Sequence, residues 1–254
     1  QFVSGGEINE NLTRAKELIS TAAGEGAQLI VLPEATAQSF ASGRLDVNAQ
    51  ELDGDFATQL KAHAEELGVT VVAGMFRPAD SVDKGGKTIN RVYNTALITG
   101  PGVHLGYNKI HTYDAFNYRE SDTVKPGNEL VTFELDGVTI GVAICYDVRF
   151  PEQFKALARQ GAEGIVVPTS WADGPEKRDQ WRLLSATRAL DSTAYVICAG
   201  QARPGGNDKA GEASGPTGIG HSVIVSPTAE RLAEAGYEEE IIYADIAPEL
   251  VAKT

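Results

Sequence analysis

The tightest constraint on the fold is an alternation. Apolar runs of strand length take turns with longer segments whose apolar residues recur at helical spacing. In "NENLTRAKELISTAAGEG" (9–26), Leu12, Ala15, Ile19 and Ala22 mark one helical face, and Gly24 and Gly26 close it. "AQLIVLPE" follows and predicts a buried strand over 28–32, stopped by Pro33. "DFATQLKAHAEELG" repeats the helical pattern with Phe56, Leu60, Ala64 and Leu67, and "VTVVAGMF" reads as the next strand. Strand–helix alternation of this kind implies an α/β fold.

The middle of the chain changes rhythm. "RVYNTALITGPGVHLGYNKI" reads as two strands around Gly100-Pro101-Gly102. "ELVTFELDGVTIGVAIC" reads as a hairpin closed by Asp136-Gly137, a strong turn signal. Between them lies a polar, aromatic loop, about 111–128, of a length that usually carries function or disorder. Beyond Cys145 the pattern predicts a helix over about 151–160 and a strand "GIVVP". A helix "EKRDQWRLLSATRALD", a strand "AYVICAG", a Gly-rich loop 203–220 and strands near 221–226, 231–234 and 241–245 follow. No linker divides the chain, so 1–254 reads as one domain, its first strand cut short because "QFV" begins without Met. So many strands suit two sheets packed face to face.

Net charge bounds the partners. Formal charge is −13 over 254 residues, which argues against nucleic acid and anionic membrane. With two cysteines, the chain lacks a disulfide framework or a four-thiolate zinc site. No apolar run reaches the ~20 residues of a membrane span. A cytoplasmic enzyme is expected.

Cys145 ends an apolar strand just before a helix candidate, in "GVTIGVAICYDVRFPEQF". Sites in α/β proteins gather at the carboxyl ends of strands, and a helix N-terminus lowers a thiol's pKa. On this segment alone, an inert buried thiol is equally compatible. Cys198, mid-strand, reads as inert. Glu34 stands at the same kind of edge, where a desolvated carboxylate can act as a base, and an ordinary solvated loop acid fits the same position. Lys109 closes a hairpin strand, where an ammonium is either merely exposed or stabilises a thiolate and an oxyanion; Glu120 lies in the long loop and alone reads as surface charge. A Cys–His hydrolase would need His63, His104, His111 or His221, of which His111 stands nearest to Lys109 in sequence.

Taken together, "LIVLPEA", "GYNKIH" and "AICYDVRFPE", in this order, resemble the nitrilase superfamily, the carbon–nitrogen hydrolases. The likeness runs through "ESD…KPG" and "GHSVIVSP…AEA", practically the whole chain. It implies a four-layer α-β-β-α sandwich, two mixed sheets face to face with helices outside. It implies a Glu–Lys–Cys triad, carried over as Glu34, Lys109 and Cys145, and a second glutamate, Glu120. It implies no metal and no organic cofactor, and a homodimer formed through helices.

That resemblance predicts hydrolysis of a small amide through a cysteine thioester, with Tyr146 N–H and Lys109 meeting the oxyanion. The scheme requires Glu34, Lys109 and Cys145 to converge. "CYDVRFPE" is most like the Nit branch, which includes ω-amidases. Arg149 is the candidate carboxylate clamp, unless it pairs with Asp147 or Glu152. "SWADGPEKRDQW" departs from the "GPAHW" of ω-amidases, and Trp171 is expected to wall an apolar pocket there. Thr169, Tyr113, Phe40 and Phe116 are further lining candidates. Other amides, carbamoyl compounds and nitriles remain open as substrates, and so do a Cys–His hydrolase and a non-catalytic binding protein.

Overall fold

The computed structural model describes residues 1–115 and 118–254, so Phe116 lies outside the described residues. Contacts group the chain into two compact units.

One unit comprises Ser4–Ile30 and Ala35–Glu129. Helix α1 (Ile8–Gly24) buries Leu12, Ala15, Ile19 and Ala22, the predicted face. A four-stranded sheet in the order β1-β2-β3-β4 opens with β1 (Leu29–Val31). Helix α2 (Asp55–Leu67) buries Phe56, Leu60 and Ala64, and ends at Gly68 in the left-handed conformation (φ 68°) that helix ends favour. Strands β2 (Thr70–Lys84) and β3 (Lys87–Gly100) run antiparallel from Val71↔Thr99 outward. Both run past the predicted strands. The ladder breaks between Pro78 and Ser81, because proline has no N–H to donate, and resumes to Lys84↔Lys87. Strand β4 (Val103–Asn108) pairs with β3 around the predicted Pro101 turn. A two-residue ribbon, β5 (Asp114–Ala115) with β6 (Tyr118–Arg119), leads into a tight turn at Glu120–Asp122.

The other unit comprises Gln1–Val3, Val31–Glu34 and Leu130–Thr254. The predicted Asp136-Gly137 hairpin forms β7 (Thr132–Leu135) and β8 (Val138–Val142). Helix α3 (Pro151–Arg159) starts on a proline, whose fixed φ suits a first helical residue. Then come β9 (Gly164–Thr169), α4 (Lys177–Ser192), β10 (Tyr195–Gly200), β11 (Val223–Val225) and β12 (Arg231–Glu234). The sheet order is β12-β11-β10-β9-β8-β7, with β8, β9 and β10 parallel and both flanks antiparallel. Residues of β9 and β10 are buried throughout, as parallel strands require.

The strand expected over 241–245 does not form. Its residues find no neighbouring strand to ladder with, and Tyr243 is exposed. A short helix, α5 (Pro248–Lys253), follows instead. No helix among the described residues is long and apolar enough to cross a membrane.

Candidate active site

Three parallel strands deliver one group each to the same carboxyl edge. Past β8, Ala143 N–H still reaches Val166 O at 3.0 Å, and the chain then turns sharply at Cys145. Cys145 sits at φ 45°, in the left-handed region that side-chain-bearing residues avoid. Such strain costs about 1–3 kcal/mol and persists only where neighbours impose it. Here they do: Ile144 N–H donates to Asp147 Oδ2 at 2.8 Å, and Asp147 N–H donates back to Ile144 O at 3.0 Å. Asp147 is fully buried and spent on this turn. The thiol at its apex is 7% exposed.

Past β9 comes Ser170, whose N–H donates to Glu34 Oε2 at 2.8 Å. Past β10 comes Gln201, whose Nε2 donates to the Glu34 carbonyl at 2.9 Å while its own N–H holds Thr169 O, also at 2.9 Å. The Glu34 carboxylate is therefore buried but held by a fixed donor, as a buried charge must be. Ser170 and Gln201 were missed in the sequence. Ser170 acts through a backbone N–H, which carries no residue signature, and Gln201 through a side chain that only the parallel register brings to residue 34.

The unit of Ser4–Ile30 and Ala35–Glu129 holds the other pair. Lys109 follows β4, and its N–H extends the ladder to Asn94 O at 2.8 Å. Its ammonium donates to both carboxylate oxygens of Glu120, at 3.1 and 3.0 Å, with both side chains 3% exposed. Glu120 also accepts Tyr113 N–H at 2.6 Å and Asn94 Nδ2 at 3.3 Å. Neither residue is surface charge. Phe40 lies in this unit too, edge-to-face on Phe76 with ring centroids 5.3 Å apart.

Arg149 meets neither Asp147 nor Glu152. Its Nη2 donates to Gln180 Oε1 at 2.9 Å, and its guanidinium lies over the Tyr146 and Trp171 rings, 5.8 and 5.4 Å from their centroids. Trp171 tilts against Trp181 at 5.3 Å, and its buried Nε1 finds no hydrogen-bond partner among the described residues. Burial, and then the charge of Arg149, lower the pKa of Lys177. The Thr169 hydroxyl turns back to Val167 O at 3.0 Å. Burial pushes the Cys198 thiol far up, which leaves it inert.

Three histidines have partners other than Cys145. His63 bonds Ser20 Oγ and Lys16 O, at 2.9 and 3.1 Å. His104 spans Thr99 Oγ1 and Leu52 O, at 2.8 and 2.7 Å. His221 stacks edge-on to Tyr237 at 4.6 Å.

A buried thiol on a strained turn at the carboxyl edge of a parallel sheet, with a buried carboxylate fixed beside the next strand, is an arrangement that nucleophilic cysteine chemistry can use. The chain belongs to the carbon-nitrogen hydrolase family, whose profile matches residues 5–254. It is 42% identical to Hydrolase Rv0480c of Mycobacterium tuberculosis H37Rv, over 99% of this chain and 89% of that protein. It is 34% identical to Omega-amidase NIT2 of Xenopus tropicalis, over 100% of this chain and 88% of the relative. Nit3 of Saccharomyces cerevisiae, a member of branch 10 of the nitrilase superfamily, superposes with a TM-score of 0.82 at 29% identity, covering 100% of this chain and 90% of Nit3. The nitrilase-type fold and the Nit-branch resemblance expected from the sequence are thus borne out. The amidase of Nesterenkonia sp. AN1, seen with acrylamide added to its active-site cysteine, shares the fold at a TM-score of 0.78 and 23% identity, covering 99% of this chain and 93% of the amidase.

Proposed function

We propose that this chain hydrolyses a small linear amide to an acid and ammonia, with Glu34, Lys109 and Cys145 acting on one substrate and both units serving as one catalytic domain. The single observation that carries this reading is the strained, buried Cys145 at the edge where Ser170 fixes the Glu34 carboxylate. Glu34 takes the thiol proton as Sγ attacks the amide carbonyl carbon. Lys109 and the N–H of Tyr146 meet the oxyanion. The oxyanion collapses, the C–N bond breaks, and Glu34 hands its proton to the leaving nitrogen. Water then attacks the thioester, giving its proton to Glu34, and the acid leaves as the thiol is restored. Glu120 keeps Lys109 charged and aimed.

Arg149 with Lys177 supports a substrate bearing a carboxylate. Among the described residues no acid neutralises Arg149, and the idle Nε1 of Trp171 is a further donor beside it. Several relatives are ω-amidases by name, which fits an amide carrying a distant acid group. Trp171 then serves as a polar wall as well as an apolar one. Tyr113, through its bond to Glu120, and Thr169, at the β9 edge, complete the proposed set, whereas the packing of Phe40 on Phe76 favours a supporting role.

Ammonia release over a panel of neutral amides, carboxylate-bearing amides, carbamoyl compounds and nitriles tests the whole reading. Carboxylate-bearing amides should lead. Arg149→Met should raise KM for them by about 10–100-fold, the worth of a charged hydrogen bond, and leave neutral amides unchanged. Silence across the panel would remove the amidase reading; equal losses on both amide classes would remove the clamp. A cytoplasmic location is supported by two buried, unbridged cysteines. A homodimer is supported by Leu183 and Leu190, 68% and 57% exposed and one heptad apart on α4; a monomer in sedimentation velocity would overturn it.

A further inference from the structure

The segment after β9 has no regular structure, yet it must hold the Ser170 N–H still against Glu34. What steadies it is a buried ion pair that the proposed chemistry does not use. Arg203 Nε lies 3.2 Å from Asp173 Oδ2, with the two side chains 7% and 1% exposed. The Asp173 carboxylate also accepts Gly174 N–H and Gly211 N–H, each at 2.8 Å. Arg203 donates to the carbonyls of Lys209 and Glu212, each at 3.1 Å. Between this pair and Glu34, the Gly-rich loop and the 170–173 segment are stitched together. Ser214 Oγ accepts Asp173 N–H at 3.0 Å, Gly218 N–H donates to Trp171 O at 3.2 Å, and Ser170 Oγ donates to Pro216 O at 2.7 Å. Gly218 adopts φ 120° here, and a Cβ on it would collide with Ala202 O, so the loop's approach depends on glycine.

We infer that Asp173 and Arg203 are a positioning pair for amide hydrolysis: they clasp loop 203–218 onto segment 170–173, and so fix the Ser170 N–H that orients the Glu34 carboxylate and the Trp171 ring beside Arg149. A buried ion pair is weak evidence for stability by itself, and its best-attested use is to select one arrangement among several. Here it selects the arrangement of a backbone donor. This rests on the reading of Glu34 as the proton carrier.

The test is a double-variant cycle in the full chain, with kcat expressed per active site titrated by stoichiometric thiol labelling. Asp173→Asn and Arg203→Met should each lower kcat per titrated site by about 10–100-fold, change KM for a neutral amide less than threefold, and combine with no further loss, because both break one clasp. Arg203→Lys, which keeps the charge, should recover part of the loss. If either charge variant fails to fold, Ser214→Ala, which cuts one stitch only, should still lower kcat per titrated site severalfold. A scaffold-only role would instead lower the titratable fraction and leave kcat per titrated site at the wild-type value, and that result overturns the inference. Additive losses in the cycle overturn it too. Glu34→Gln, run alongside, separates the two readings: if it retains kcat, the proton-carrier role fails, whereas an inactive Glu34→Gln beside a fully active Asp173→Asn removes only the clasp.

Discussion

Cys145→Ala should remove turnover, by about 10⁴-fold or more in kcat, while the protein stays folded. Losses of this size follow when a nucleophile is removed, because the remaining groups act only through it. Stability should hardly move. The side chain is small, and the turn that carries it is built by Ile144 and Asp147, which the substitution does not touch. Alanine inherits the φ of 45° and its strain. Cys145→Gly is the sharper companion. Glycine adopts this conformation freely, so relief of strain offsets the extra flexibility of the unfolded chain. The melting temperature should stay within about 2–4 °C of wild type, the span of ~1 kcal/mol in a protein this size. Both variants should release no ammonia. A variant that folds, lacks the thiol and still turns over would remove covalent catalysis from consideration. A variant that unfolds would mean that the turn needs the sulfur for packing.

Much of this site was legible in the chain, and for a physical reason. Cys145 follows an apolar strand, and Glu34 follows another strand behind a proline, so both announce an edge by local pattern alone. Lys109 and Glu120 were harder. Glu120 reads as an exposed charge in its own segment, Lys109 fits an exposed charge or a thiolate partner there, and only the family resemblance decided for the site. Their burial against each other depends on the pairing of β3 with β4 and on the fold of the following loop. Ser170 and Gln201 left no trace at all, because Ser170 acts through a backbone N–H, the same at every residue, and Gln201 through a side chain that only the register of β10 brings to Glu34. The Asp173–Arg203 pair joins positions 30 residues apart through loops without periodicity. The fold departed from expectation where local rules compete. The strand read in "VTVVAGMF" stops at Phe76, but β2 passes Pro78 with a bulge and continues. The segment 241–245 suggested a strand, but among the described residues no partner strand lies beside it.

Glu120→Ala should be the most destabilising single change in the site, with loss of activity as a second, separable effect. The variant strips the buried Lys109 ammonium of a carboxylate that meets it with both oxygens, and it orphans Tyr113 N–H as well. Removing one partner of a buried ion pair costs about 3–5 kcal/mol, far more than the pair contributes as a unit, because the other charge is left uncompensated. The melting temperature should fall by roughly 10 °C. Glu120→Gln keeps the shape and the acceptor oxygen, so it should lose less stability. It weakens the hold on the ammonium, and kcat should fall about 10–100-fold if Lys109 must meet the oxyanion. The double variant Lys109→Met with Glu120→Gln separates the two effects. With no charge left to bury, it should recover most of the stability lost in Glu120→Ala and yet remain inactive. Thermal melts and ammonia release on the same preparations read both quantities. Activity that returned together with stability would show that Lys109 holds the fold and takes no part in the reaction.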